Sequence, residues 1–378
     1  MKNIPFNRPC WTGEESEHIK SAIENGWISG DGPYTKKVQE TIKQYFGSSS
    51  EVLLTTSCTH ALEISAILLD LKPGDEVIVP SYTFVSTALA YLMHGATPVF
   101  VDIKPDTLNI DERLIEASIT SKTRAIVPVH YAGVACEMDV INEIASRYDL
   151  TVIEDDAHGL CGKYHGRYLG SLGDIATQSF HETKNITCGE GGALVLNSEK
   201  YIEQSEIIRE KGTDRSKFFR GQIDKYSWVD KGSSYVMSDL LAAFLYGQLV
   251  HIDAIQEKRK NIWQRYDSNL NEWAKKNDVT QPFVPDHCEQ AYHMYYLLMP
   301  DIETRTRFIQ HLKTNNIGSA FHYVPLHSSK MGKEYCKTKY EMKNTNEVSS
   351  TLIRLPFFND YDAQTQLEII EVISGFQV

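Results

Sequence analysis

The run Ser179-Phe180-His181-Glu182-Thr183-Lys184-Asn185-Ile186-Thr187-Cys188-Gly189-Glu190-Gly191-Gly192 sets one lysine between a serine hydroxyl and a glycine cluster, downstream of a β-branched run that ends in Glu154-Asp155. Leu54-Thr55-Thr56-Ser57-Cys58-Thr59-His60-Ala61-Leu62 adds a strand, a short polar turn and a helix start. Such a turn presents free backbone N–H groups and the positive end of a helix dipole to an anion. Together the three stretches offer an amine to an aldehyde, a carboxylate to a ring nitrogen and donors to a phosphate. These are the needs of pyridoxal phosphate.

Each residue also has a plainer use. A lone lysine is ordinarily a solvated surface charge, and only its neighbours make Lys184 a Schiff-base candidate. Asp155 closes a strand whose preceding Thr151-Val152-Ile153 suit a buried sheet, and open α/β sheets bind ligands beyond the carboxyl ends of their strands. A carboxylate there either meets something cationic or caps a helix. Ser57, Cys58 and Thr59 line the anion turn, with helix capping by Ser57 or Thr59 as an alternative that coexists with it. Ser179 adds a hydroxyl to the same phosphate. Phe84, in Pro80-Ser81-Tyr82-Thr83-Phe84-Val85-Ser86, follows another strand end, where its ring suits either stacking on a cofactor or the core.

Apolar, β-branched runs at 52–55, 77–80, 98–101, 125–129, 151–154, 175–179 and 193–196 predict strands covered on both faces, and helical spacing recurs between them at 60–69 and 111–117. That alternation is an α/β pattern with a mainly parallel, seven-stranded sheet. Residues 237–273 read as one long helix or a pair, the hinge between a large domain (1–250) and a smaller C-terminal α+β domain (251–378). The latter is expected to hold strands near 294–299 and 319–323 and helices near 303–315 and 363–376.

Composition narrows the function. Hydrophobic residues make up 42% and charged residues 23%, as in globular proteins, and no apolar run is long enough to span a membrane. The first residues lack a long apolar stretch, so a cytoplasmic protein is expected. Seven cysteines without a C-x-x-C pair predict reduced thiols, with neither a disulfide framework nor a metal site. A net charge of −12 disfavours nucleic acid but leaves room for a small anion in a dedicated pocket.

The chain resembles the DegT/DnrJ/EryC1/StrS sugar aminotransferases over essentially its whole length. The resemblance runs through Gly30-Asp31-Gly32-Pro33-Tyr34-Thr35, Pro73-Gly74-Asp75-Glu76-Val77, Val129-His130-Tyr131-Ala132-Gly133, Glu154-Asp155, the lysine run, His322-Tyr323-Val324-Pro325-Leu326-His327 and Leu355-Pro356. It implies a fold type I pyridoxal phosphate enzyme. Carried over by position, it implies that Lys184 holds the cofactor and shuttles the proton, that Asp155 meets the ring nitrogen, and that Phe84 covers the ring face. It puts His158 near the 3-hydroxyl. Asp156 stands where a small residue is usual, so the aspartate pair is ambiguous by composition; the three-residue spacing to His158 favours Asp155. Where many members carry G-x-N-Y-R-M, this chain has Gly232-Ser233-Ser234-Tyr235-Val236-Met237. Ser234 is then the candidate to reach a partner's cofactor phosphate in a homodimer.

Further segments, Val127 to Asp139, Phe180 to Asn185, Glu206 to Thr213 and Gly232 to Tyr235, resemble the transaminases that make dTDP-4-amino-4,6-dideoxygalactose. This implies transfer of the amino group of L-glutamate to C4 of dTDP-4-keto-6-deoxyglucose for surface polysaccharide synthesis. Lys211, Arg215, Tyr323 and His327 are candidates for sugar or diphosphate contacts. The gluco epimer, a C3 aminotransferase and a non-catalytic cofactor-binding sensor remain alternatives. A sugar dehydratase is disfavoured, because relatives with that activity carry histidine in place of the lysine.

Overall fold

The structure, a computed structural model, describes residues 3–46 and 50–378. The first half supplies strands β1 (Glu51–Thr55), β2 (Glu76–Pro80), β3 (Thr97–Val101), β4 (Thr123–Ile126), β5 (Thr151–Asp155), β6 (Ile175–Ser179) and β7 (Gly192–Leu196). In the second half β8 (Tyr296–Leu298), β9 (Lys337–Thr338) and β10 (Leu352–Arg354) follow. The large sheet has the order β1-β7-β6-β5-β4-β2-β3-β9. Its pairings are parallel except those of β7, which runs against both β1 and β6.

Side chains alternate across each strand, so consecutive residues enter different cores. Val77, Val79 and Ile153 pack on one face of the sheet, while Ile78 and Val152 pack on the other. Each such fully buried aliphatic contributes roughly 1.5–3 kcal/mol. Two-sided burial is why the strands read as continuous apolar runs. The sheet has eight strands, one more than expected: β9 is two exposed residues without an apolar signal, held in part by Lys337 Nζ donating to Glu76 Oε1 at 2.6 Å.

A separate apolar cluster gathers Ile262, Tyr266, Leu270, Tyr295, Phe308, Ile353 and Ile369 with Ile4 from the other end of the chain. The predicted hinge resolves as a pair of helices, Asp239–Leu249 and Ile252–Lys276. The second begins against the large-sheet core through Ile252 and Ile255 and ends in this separate cluster. One expected strand is absent among the described residues: 319–323 makes only an isolated bridge, Ala320 to Arg354. Tyr323 explains part of this, since its φ of 30° leaves the extended region. The fourth strand also ends earlier than expected, at Ile126, with Val129 bridging Asp155 in isolation.

Candidate active site

The carboxyl ends of β1, β2, β5 and β6 open onto a cavity of about 1040 Å³, closed from the far side by the 320–331 segment and Arg354. On β5, alternation separates three consecutive carboxylates. Glu154 is fully buried and accepts hydrogen bonds from the backbone N–H groups of Gly170 (2.9 Å), Leu172 (2.7 Å) and Gly173 (2.7 Å), with His130 Nε2 at 2.8 Å. Asp156 faces the same way, takes the Gln178 amide, and is crowded by Gly159. Asp155 points oppositely, into the cavity. Thr87 Oγ1 donates to its Oδ2 at 2.6 Å, and the Ala157 N–H lies 3.3 Å from its Oδ1. Burial pushes the Asp155 carboxyl up, opposed by these hydrogen bonds and by the nearby Lys184 and His130.

Lys184 sits half-buried on the cavity wall in the loop after β6. The loop is pinned by Phe180 N–H donating to Gly191 O (2.8 Å) and Cys188 N–H to Phe180 O (2.9 Å). Asn185, the next residue, donates to Ala291 O (2.6 Å) and meets His293 Nδ1 at 2.9 Å, which ties the loop to a distant segment. Burial lowers the lysine to about 8 from its ordinary 10.5, against the opposing pull of Cys58 and Asp155. A large fraction of free amine near neutral pH follows.

At the β1 turn, Ser57 caps the helix Cys58–Leu68, its Oγ accepting from His60 N–H at 3.1 Å, while Ser57, Cys58 and Thr59 all line the cavity. Capping and lining thus coexist. Thr59 Oγ1 donates to Ser86 Oγ at 2.8 Å, and burial pushes the Cys58 thiol far up, leaving it neutral. Gly192 shows why the lysine run ends in glycines: a Cβ there would lie 2.4 Å from Cys58 N. Phe84 is 58% exposed and lines the cavity, so it is not core. Ser179 lines it at the end of β6.

His158 lies under a layer of imidazoles and phenols. It stacks on His293 with centroids 4.2 Å apart, and Tyr323 Oη is 3.4 Å from its Nε2. Burial drives it well below its ordinary value, so its ring is neutral. Its Nδ1 is buried without a protein partner. His322 is fixed from beneath by Tyr131 Oη at 2.7 Å.

Four candidates stand elsewhere. Ser234 is exposed and bridged to Glu210, and Lys211 and Arg215 pair with the Glu210 carboxylate at 2.9 and 3.0 Å; none of the three lines the cavity of its own chain. His327 turns its Nδ1 to Ser81 Oγ at 2.7 Å, leaving Leu326 and Ser329 to line the wall. Conversely, Thr87, Asn185, His293 and Arg354 belong to the cavity or its immediate support without having been singled out from sequence. Thr87 was findable, one helical turn after Phe84. His293 and Arg354 carry no local spacing signal.

Amine, buried carboxylate, helix N-terminus with hydroxyls, and an exposed aromatic ring share one cavity, and this donor set fits pyridoxal phosphate. No group of side chains suited to a metal ion occurs among the described residues, and no helix there is long and apolar enough to cross a membrane.

Fold and site together define an aminotransferase of the fold type I kind. The model of the DegT/DnrJ/EryC1/StrS aminotransferase family matches residues 9–374, and the chain belongs to that family. It is 37% identical over 380 aligned residues to the protein MJ1066 of Methanocaldococcus jannaschii, itself uncharacterized, covering 98% of this chain and 96% of the relative. Among solved structures it is similar to Spr1654 from Streptococcus pneumoniae in its PLP form, a proposed sugar aminotransferase, at 28% identity, a TM-score of 0.89 and 98% coverage of both chains. It is similar also to DesV from S. venezuelae, at 27% identity, a TM-score of 0.88 and full coverage of both chains.

Proposed function

We propose that this aminotransferase, with pyridoxal phosphate as its cofactor, moves the amino group of L-glutamate to C4 of dTDP-4-keto-6-deoxyglucose, giving the galacto-configured amino sugar for surface polysaccharide synthesis. The observation that carries the reading is the meeting of Lys184, Asp155 and the Ser57–Thr59 turn in one cavity. Membership of an aminotransferase family and likeness to a protein solved in a PLP form support it.

The bound cofactor supplies an electron sink for the carbon that bears the amine. Asp155 would hold its ring nitrogen, Ser57, Cys58, Thr59 and Ser179 its phosphate, Phe84 its face, and His158 its hydroxyl edge. Lys184 Nζ, lowered to about 8, removes the proton from the amine-bearing carbon of glutamate and later delivers one to the sugar carbon. A base poised near the working pH does both without a second residue. The neutral rings of His158 and His322 keep the wall free of added cationic charge.

The enzyme works as a homodimer, with Ser234 and its neighbourhood set against the partner's cavity. The exposed Phe219 and Trp228 in the adjoining surface segment support that reading. Tyr323 is kept as a sugar contact, and Lys211 and Arg215 as diphosphate contacts across the same interface.

Two measurements test the proposal. Lys184→Ala should lose the visible absorbance of lysine-bound cofactor and all amino transfer; retention of either defeats it. An NMR spectrum of the product from dTDP-4-keto-6-deoxyglucose and glutamate should place nitrogen at C4 in the axial position. Equatorial nitrogen would assign the gluco epimer instead, and nitrogen at C3 would reject the substrate.

A further inference from the structure

Arg354 is the only arginine among the residues lining the cavity. It ends β10, where its backbone pairs with Tyr296 and with Ala320. Its guanidinium is spread over the cavity wall: the centre lies 4.7 Å above the Phe6 ring, and one terminal nitrogen donates to Phe321 O at 3.0 Å. The Nε is buried and has no hydrogen-bond partner. Around it stand Tyr82, Tyr131 and Tyr323, whose phenols are held neutral by burial. It is therefore a desolvated cation with donors to spare. A buried charge without a counter-ion is costly, and the cost is recovered only when an anion arrives.

The other cations on the wall are Lys184, which reacts, and Lys330, which is exposed. Arg354 is close enough to depress Lys184, His158 and His322 electrostatically, so it faces the reacting centre rather than the outer surface. An α-amino acid donor carries its carboxylate on the same carbon as the amine that reacts. Whatever holds that carboxylate must stand beside the lysine, and a planar fork of N–H donors matches its two oxygens.

We propose that Arg354 is the anchor for the α-carboxylate of the amino donor and selects α-amino acids over simple amines. The inference rests on the amino-transfer reading of this cavity. Two nitrogens of the guanidinium, Nε and a terminal one, engage the carboxylate side by side, while the bond to Phe321 O and the Phe6 ring keep the plane fixed.

The test uses the holoenzyme and follows the donor half-reaction alone, by the spectral change of the cofactor, with L-glutamate and with 4-aminobutanoate, which keeps the distal carboxylate and lacks the α-carboxylate. In the wild type glutamate should be strongly preferred. In Arg354→Gln the ratio of kcat/KM for glutamate over 4-aminobutanoate should fall at least thirtyfold; Arg354→Lys, which keeps charge but loses the fork, should fall between. Calorimetry with L-2-methylglutamate, whose α-carbon has no proton to lose, should show the same loss in binding. An unchanged ratio with a raised KM for the nucleotide sugar would assign the arginine to the diphosphate and overturn the proposal. A wild type that reacts with neither amine overturns this proposal together with the reading beneath it. Should Arg354→Gln fail to bind cofactor, the ratio in Arg354→Lys decides, and no fall there overturns the assignment.

Discussion

Asp155→Asn and Asp156→Asn make the same chemical change one residue apart, on opposite faces of β5, and should have very different outcomes. Asp155 lines the cavity, oriented by Thr87 Oγ1 at 2.6 Å. An amide in its place cannot accept a charge-assisted hydrogen bond from a protonated ring nitrogen. Such bonds are worth about 1.5–3 kcal/mol, so cofactor affinity should drop by roughly 10- to 100-fold. Turnover should fall further, by about a hundredfold or more, because charge developing on the ring loses its preorganised partner. Asp156 is different. Burial, with Glu154 adjacent, drives its carboxyl well above the usual carboxylate range, toward the neutral acid. An asparagine is nearly isosteric with a neutral acid and keeps a partner in Gln178. Stability should change by no more than about 1 kcal/mol and cofactor binding hardly at all. The assays are titration of pyridoxal phosphate into apoenzyme, followed by absorbance, and single-turnover kinetics with glutamate. The reverse ranking, with Asp156→Asn the more damaging to binding and turnover, would refute the reasoning.

The depressed Lys184 has a stability signature in the apoenzyme. The gap between 10.5 and about 8 corresponds to roughly 3 kcal/mol at most, a cost fully present below pH 8 that fades as pH rises towards 10.5. Lys184→Met should therefore stabilise the apoenzyme at pH 7 by about 1–3 kcal/mol, with the gain gone near pH 10.5; thermal unfolding across pH checks it, and a destabilised variant contradicts it. The rate at which apoenzyme captures pyridoxal phosphate should rise with pH and level off just above pH 8, as the free amine saturates; stopped-flow absorbance reads this. Thr87→Val should leave Asp155 short of one donor, raise its protonation and weaken cofactor binding roughly fivefold, measured by equilibrium titration. Glu154→Ala strands three backbone N–H groups and His130, so chemical denaturation should show a loss of at least about 3 kcal/mol.

Much of this architecture was written in local pattern. The seven long strands appear as apolar runs because two-sided burial leaves no polar alternation, and each reading was right to within a few residues at the ends. Ser57, Phe84, Asp155, Ser179 and Lys184 were legible for a related reason: each stands at or just past a strand's carboxyl end, where a parallel sheet leaves its loops. The strand Lys337-Thr338 was not, because its two residues are exposed and it is held by backbone pairing and by Glu76, far away in sequence.

Residue type and spacing along the chain set the kind of chemistry: one lysine, one strand-end carboxylate and one helix N-terminus. Which aspartate of the pair faces that chemistry is a matter of which way β5 is turned, and the turn is fixed by the Gly170, Leu172 and Gly173 amides that capture Glu154 on the opposite face. The pull on Lys184, the neutral histidine layer and the unpaired guanidinium of Arg354 likewise come only from folding. They need segments near 58, 155, 293, 322 and 354 to exclude water from a common space, and electrostatic energies depend on that enclosure rather than on order along the chain.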